Sequence, residues 1–265
     1  MKNLLTRALT GVVYVALIVL GVLLSDLSMV LLCCVLAAVA VNEFVCITGH
    51  ATRATAVIDV LGALCVVCAG AHGTYTDMFI GLFVVYVILR LVMTVYASRR
   101  DTPVSAAYSF MSVLYIALPL CMLCSVRTSL PEGRWLVLGM FVMIWLNDTG
   151  AYLVGSAIGR HKLLERVSPK KSVEGFVGGV VFAVSAAPLF YYCFPEQFGK
   201  FSLVMLCAVG LSAGIVGTLG DLVESRLKRS LGVKDSGNIL PGHGGILDRI
   251  DSLLLVAPVV WLLMF

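Results

Sequence analysis

Long apolar runs separated by short polar breaks organise this chain from end to end. They fall near residues 8–24, 28–48, 56–73, 77–98, 107–124, 135–156, 175–195, 201–220 and 246–265. Each approaches the ~20 residues that a helix needs to cross ~30 Å of hydrocarbon. In lipid the backbone must satisfy its own hydrogen bonds, so such runs are expected to be helices. An outer-membrane barrel would show short segments of alternating polarity instead, and none occurs. The expected fold is an all-α polytopic integral membrane protein of about nine transmembrane helices. Residues 1–134 hold about five spans. Residues 135–265 hold the rest, with polar loops at 157–175 and 221–251. Lys2 and Arg7 precede the first run as in a signal peptide, but no small-residue cleavage site follows. An uncleaved span is expected.

Composition strengthens this reading. Hydrophobic residues make up 60% of the chain and charged residues 13%, which excludes a soluble domain. The nine cysteines lie in or beside the apolar runs. The pairs Cys65/Cys68 and Cys121/Cys124 lack a nearby histidine or charged shell, so they are expected to pack as small apolar residues rather than bind zinc. The net charge of +4 matters less than its placement. With the N-terminus cytoplasmic, 15 of the 19 Lys and Arg residues face the cytoplasm, including Arg53, Arg99 and Arg100. Only Arg127, Arg134 and Lys200 face outward, and Arg90 lies within a span. The positive-inside rule therefore puts the C-terminus outside and both large loops on the cytoplasmic side.

Those loops carry the chemistry. Residues 221–251 mix Arg226, Lys228, Arg229, Lys234 and Arg249 with Asp221, Glu224, Asp235, Asp248 and Asp251, around the run Pro241-Gly242-His243-Gly244-Gly245. Carboxylates can hold a divalent cation, while basic groups and unobstructed amides can hold phosphate. That combination suits phosphoryl or nucleotidyl transfer at the bilayer surface. Asp248 and Asp251 are expected in the first turn of the last helix, and Asp221 at the end of the eighth span with Glu224 one turn on. These helix ends are the candidate metal site, although acids at a helix start also complement its dipole. His243 either donates to phosphate or orders the glycine turn.

The 157–175 loop contributes Ser168, Lys170 and Lys171, and Asn147 and Asp148 lie in the span before it, where polar groups usually mark a site. Gly210, Gly214, Gly217 and Gly220 recur at three- and four-residue steps, as in close helix packing. Glu43, Asp59 and Arg90 are polar residues at membrane depth that either pair with one another or line a cavity.

The segment Ser225, Lys228-Arg229, Lys234-Asp235, His243-Gly244-Gly245 and Asp248-Arg249-x-Asp251 resembles the phosphatidate cytidylyltransferases, also called CDP-diacylglycerol synthases. Upstream, Asn147-Asp148-Thr149-Gly150-Ala151-Tyr152 and Ser168-Pro169-Lys170-Lys171-Ser172-Val173-Glu174-Gly175 are similar to the same family, with Ser172 where Thr is common. The likeness is strong over residues 147–251; the first five spans match only in hydropathy. It implies cytidylyl transfer from CTP to phosphatidate, giving CDP-diacylglycerol and pyrophosphate for phospholipid synthesis. It also implies Mg²⁺ held by Asp221 and Asp248, with a monovalent cation such as K⁺ as a second ion. Lys228, Arg229, Lys234 and Arg249 would clamp phosphates, and Asp235, His243 and Asp251 would complete the catalytic set. Asn147, Asp148, Ser168, Lys170, Lys171, Ser225, Gly244 and Gly245 would bind substrate. A homodimer in the inner membrane, with its active site facing the cytoplasm and no nucleic-acid partner, is the matching expectation. The alternatives are a CTP-dependent enzyme acting on another lipid, such as an ether-lipid cytidylyltransferase or a polyprenol kinase, and an ion-coupled transporter using Asp148, Arg90 and Glu43.

Overall fold

A computed structural model describes residues 2–71, 73, 75–96, 102–239 and 244–265, with side chains from residue 9 onward. Arg99, Arg100, Pro241, Gly242 and His243 lie outside the described residues. The helices are α1 (Lys2–Leu23), α2 (Asp26–Thr48), α3 (Arg53–Ala69), α4 (Thr76–Tyr96), α5 (Pro103–Ser129) and α6 (Gly133–Ile158). After a hairpin of β1 (Lys162–Leu164) and β2 (Ser168–Ser172) come α7 (Val173–Cys193), the short α8 (Pro195–Phe198), α9 (Leu203–Ser230) and α10 (Leu247–Met264).

Each expected span coincides with a helix, but among the described residues six (α2, α4, α5, α6, α7 and α9) are long and apolar enough to cross a membrane. The described apolar part of α1 is Leu9–Leu23, α3 has 17 residues, and α10 opens with Asp248, Arg249 and Asp251 among its 18. The protein is thus an all-α membrane protein whose one sheet, among the described residues, is the β1–β2 antiparallel pair.

The chain forms two compact units, Met1–Ser129 with Asp235–Arg249, and Leu130–Lys234 with Ile250–Phe265. The division falls inside α10.

In the first unit, α4 shows why a sequence this apolar folds as it does. Ile80, Val84, Ile88 and Leu91 are exposed, as a lipid-facing surface requires, whereas Tyr86 and Arg90 are buried. These two lie four residues apart, hence on one helix face. Arg90 Nε lies 3.3 Å from Asp59 Oδ1 on α3. The Tyr86 hydroxyl donates to the same oxygen (3.2 Å) and the Ser109 hydroxyl to Asp59 Oδ2 (2.7 Å). Arg90 also donates to Ser105 Oγ (2.8 Å) and Ser109 Oγ (3.0 Å) on α5. Asp59 and Arg90 are wholly buried, and burial of such charges is sustained only by pairing and hydrogen bonds. The polar residues at membrane depth therefore divide: Asp59 and Arg90 bind each other, while Glu43 takes other partners described below.

In the second unit, α6 and α7 approach closely along glycines. A Cβ at Gly175 would lie 2.8 Å from the Ala151 carbonyl oxygen, and one at Gly179 would lie 2.5 Å from Asn147 Oδ1. Of the four spaced glycines of α9, Gly210, Gly214 and Gly220 make the expected close approaches, whereas a Cβ at Gly217 would meet nothing nearer than 3.5 Å. A Cβ at Gly210 would sit 2.9 Å from the Ala183 carbonyl oxygen, and one at Gly214 2.9 Å from Val180 Cα, both on α7. Within α9, residues Ser212–Val216 form a π-helical segment, as do Val113–Ala117 within α5. All nine cysteines are free thiols.

Candidate active site

A cavity of about 430 Å³ opens in the second unit, within the ~300–1,000 Å³ range of small-molecule sites. Asn147, Asp148, Lys170, Lys171, Thr218 and Asp221 supply its polar lining, and Tyr152 and Phe176 part of its apolar wall. Three pieces of local structure bring them together. Asn147 and Asp148 lie within α6, at its approach to α7. The lysines sit on β2, directed by a hairpin that the sequence reading treats as an open loop. Asp221 lies inside α9, which continues to Ser230, so the expected end of that span at Asp221 is corrected by about ten further helical residues.

The hairpin is held at both ends. Lys162 Nζ donates to the Pro169 carbonyl oxygen (2.7 Å). Glu174, at the start of α7, accepts from the backbone N–H of Arg160 (3.0 Å) and pairs with His161 Nδ1 (2.6 Å). Ser172 Oγ accepts from the Gly175 N–H (3.1 Å), capping α7. A hydroxyl at this position thus has a structural use, which Ser and Thr share.

Across the cavity, Lys171 Nζ lies 2.5 Å from Asp221 Oδ2. Ser225 donates to Asp221 Oδ1 (3.1 Å). The Asn147 amide donates to Thr218 Oγ1 (3.4 Å), and its buried Oδ1 has no hydrogen-bond partner among the described residues. An unpaired buried acceptor is costly, and here it borders a cavity that a polar ligand can enter. The cluster of like charges is the second such feature. Asp251 interacts with the Glu224 carboxyl and lies within electrostatic range of Asp221 and Asp148.

Several candidates sit elsewhere. Lys228, expected to clamp phosphate, is buried and pairs with buried Glu224 (3.0 Å) one turn away on α9. Arg229 Nη1 donates to the Val233 carbonyl oxygen (3.3 Å), closing the end of α9. Ser168 belongs to β2 without lining the cavity. Lys234, Asp235 and Arg249 are exposed.

In the first unit, Asp248 Oδ2 accepts from the backbone N–H groups of Ser236 (3.0 Å) and Gly245 (2.9 Å). The Gly245 amide expected to cradle phosphate is therefore taken by the protein's own carboxylate. Gly244 stands at φ +86°, a backbone conformation that suits glycine.

Hard oxygen donors crowded together are the chemistry a cation such as Mg²⁺ demands, and Asp148, Asp221 and Asp251 meet it in kind. Among the described residues, no three acidic, histidine or cysteine side chains yet converge to enclose an ion, and Lys171 holds the place of a positive charge against Asp221.

Residues 5–265 match the Cytidylyltransferase family. The chain belongs to that family. It is 38% identical over 209 residues to the phosphatidate cytidylyltransferase of Staphylococcus saprophyticus, covering 78% of both chains. It is 43% identical over 171 residues to proteins of the same name from Staphylococcus aureus and Staphylococcus epidermidis, covering 64% of each chain. The match now includes the N-terminal spans, where sequence reasoning found only hydropathy. Sequence reasoning also passed over Phe176 and Thr218 in the cavity wall, and quoted Tyr152 within a motif without a role. For Thr218 a signal was available: a hydroxyl three residues before Asp221 in a stretch, 213–220, otherwise of small and apolar residues.

Proposed function

We propose that this chain transfers the cytidylyl group of CTP to phosphatidate, giving CDP-diacylglycerol and pyrophosphate. The observation that carries the reading is the cavity in the second unit, where Lys170 and Lys171 face Asp221 and Asp148 beside the unsatisfied Asn147 carbonyl. The names of the Staphylococcus relatives supply the substrates.

The reaction asks little of the protein as a base. The phosphatidate phosphate is already anionic near neutral pH, and one of its oxygens attacks the α-phosphorus of CTP. The bond from that phosphorus to the α–β bridging oxygen breaks, and pyrophosphate leaves with the electron pair. Catalysis then consists of positioning and neutralising charge. Lys170 and Lys171 bind phosphate oxygens, and Lys171 exchanges Asp221 for substrate when the cavity fills. The Asn147 amide, fixed by Thr218, orients a polar group of the ligand. Asp221, with Asp148 and Asp251 as the neighbouring oxygen donors, would hold Mg²⁺, aided by a monovalent cation. The bound metal would supply charge neutralisation for the pyrophosphate leaving group.

The same reading places the enzyme in the inner membrane as a homodimer of nine-span subunits. The N-terminus and the site face the cytoplasm, where CTP resides. Purified protein given labelled CTP, Mg²⁺ and a panel of lipid phosphates tests it. CDP-diacylglycerol from phosphatidate is the expected product. Transfer only to an ether lipid, phosphorylation of a polyprenol, or no lipid product would each overturn the assignment.

A further inference from the structure

Glu43 lies near the C-terminal end of an apolar helix, α2, yet is 3% exposed. Its carboxylate is spent entirely on one distant segment. Oε1 accepts from the backbone N–H of Ile246 (3.0 Å), and Oε2 from the N–H of Leu247 (2.9 Å) and the hydroxyl of Ser236 (3.2 Å). These donors bracket residues 237–245, so Glu43 closes both ends of the polar loop onto α2. The packing leaves no room for other arrangements. A Cβ at Gly237 would lie 2.5 Å from Glu43 Oε1, and one at Gly245 would lie 2.6 Å from Oε2. Asp248 binds the same two ends from the other side through Ser236 N–H and Gly245 N–H.

A buried carboxylate at membrane depth is expensive unless every lone pair is used. Here its partners include the first backbone amides of α10, which the helix itself cannot satisfy. Among the described residues, the partners of the carboxylate all belong to this segment and none to the helices packed against α2.

We infer that Glu43 is a positioning residue for cytidylyl transfer: it acts through the Ser236 hydroxyl and the backbone of Ile246–Leu247 to hold the segment at Asp235–Ser236 and the start of α10, which bears Asp248. The inference rests on the function proposed above for the reaction assayed, but the contact itself can be measured separately. Glu43→Gln keeps size and removes charge. Its amide nitrogen cannot accept, so one backbone N–H loses its partner. Glu43→Asp keeps both oxygens and withdraws them by one methylene, and it serves if the Gln protein does not accumulate.

Hydrogen–deuterium exchange of the detergent-solubilised variants should show faster exchange at 244–247, with α6 and α7 unchanged. In the phosphatidate assay kcat should fall by about 10- to 100-fold, the scale of a small misplacement of reacting groups. KM for CTP should hold. Unchanged exchange at 244–247, or wild-type kcat, would overturn the inference. So would loss of protection throughout α2–α5, which would make Glu43 part of the general packing. If wild-type protein made no CDP-lipid, the functional assignment would fail while the exchange result still judged the clamp.

Discussion

The contact between Lys171 and Asp221 offers a test in which two magnitudes separate two roles. The pair is 2.5 Å apart, with side chains 27% and 34% exposed. A partly exposed ion pair of this kind contributes about 0–1 kcal/mol to stability. Lys171→Gln should therefore leave the unfolding temperature of the detergent-solubilised protein nearly unchanged. If Lys171 instead leaves Asp221 for a substrate phosphate, it forms a charge-assisted hydrogen bond worth about 1.5–3 kcal/mol. At 1.36 kcal/mol per tenfold, that loss lowers kcat/KM by roughly 10- to 150-fold. The assay is CDP-lipid formation from labelled CTP with phosphatidate varied, run beside a thermal melt on the same preparation. Intact stability with impaired kcat/KM is the expected pattern. Wild-type kcat/KM, or a loss of activity that only tracks a loss of folded protein, would refute the exchange and leave Lys171 as a fastener of β2 to α9.

Asp221→Asn removes charge without changing size and should abolish turnover while membrane insertion persists; near-normal activity at saturating Mg²⁺ would remove Asp221 from the metal site. Arg90→Met strands the Asp59 carboxylate in the first unit and should cost about 3–5 kcal/mol, read as a large fall in unfolding temperature; an unchanged melt would show the pair is not needed for stability. Gly179→Leu drives a side chain into Asn147 and should prevent α6 and α7 from closing, with poor recovery of folded protein from membranes; normal yield and activity would show that the α6–α7 spacing is adjustable.

Hydropathy located every long helix among the described residues but not the short α8, because the demand that lipid places on the backbone is written in composition. It was a weaker guide to length. Asp221 looked like a span's end because charge begins there, yet α9 carries its acids and bases on to Ser230, with Lys228 and Glu224 satisfying each other inside the fold. The two lysines at 170 and 171 were legible as phosphate binders from their neighbours. The hairpin that aims them was not, since Ser-Pro-Lys-Lys-Ser has little strand character and owes its pairing to Glu174 and Lys162. Glu43 was conspicuous as a charge in hydrocarbon, but its partners lie some 200 residues away in sequence, and no local pattern could name them. The glycines around His243 suggested a cradle for a ligand; Gly237 and Gly245 instead make room for a carboxylate of the protein itself.

The π-helical segment Ser212–Val216 sets the phase of α9. Gly210 and Gly214 fit against α7, while further along Gly220 fits against α10, where a Cβ would lie 2.6 Å from the Asp251 carbonyl oxygen. The π turn takes up one extra residue within the same sweep of the rod, so the stretch before it stays in phase with α7 and the stretch after it with α10. Inserting a further residue here, with no second bulge to take it up, would turn everything beyond it by about 100°. Asp221, Ser225 and Lys228 would then swing away together from Lys171, with no side chain in the cavity having been changed. Along this rod, side chains can be exchanged more freely than residues can be added.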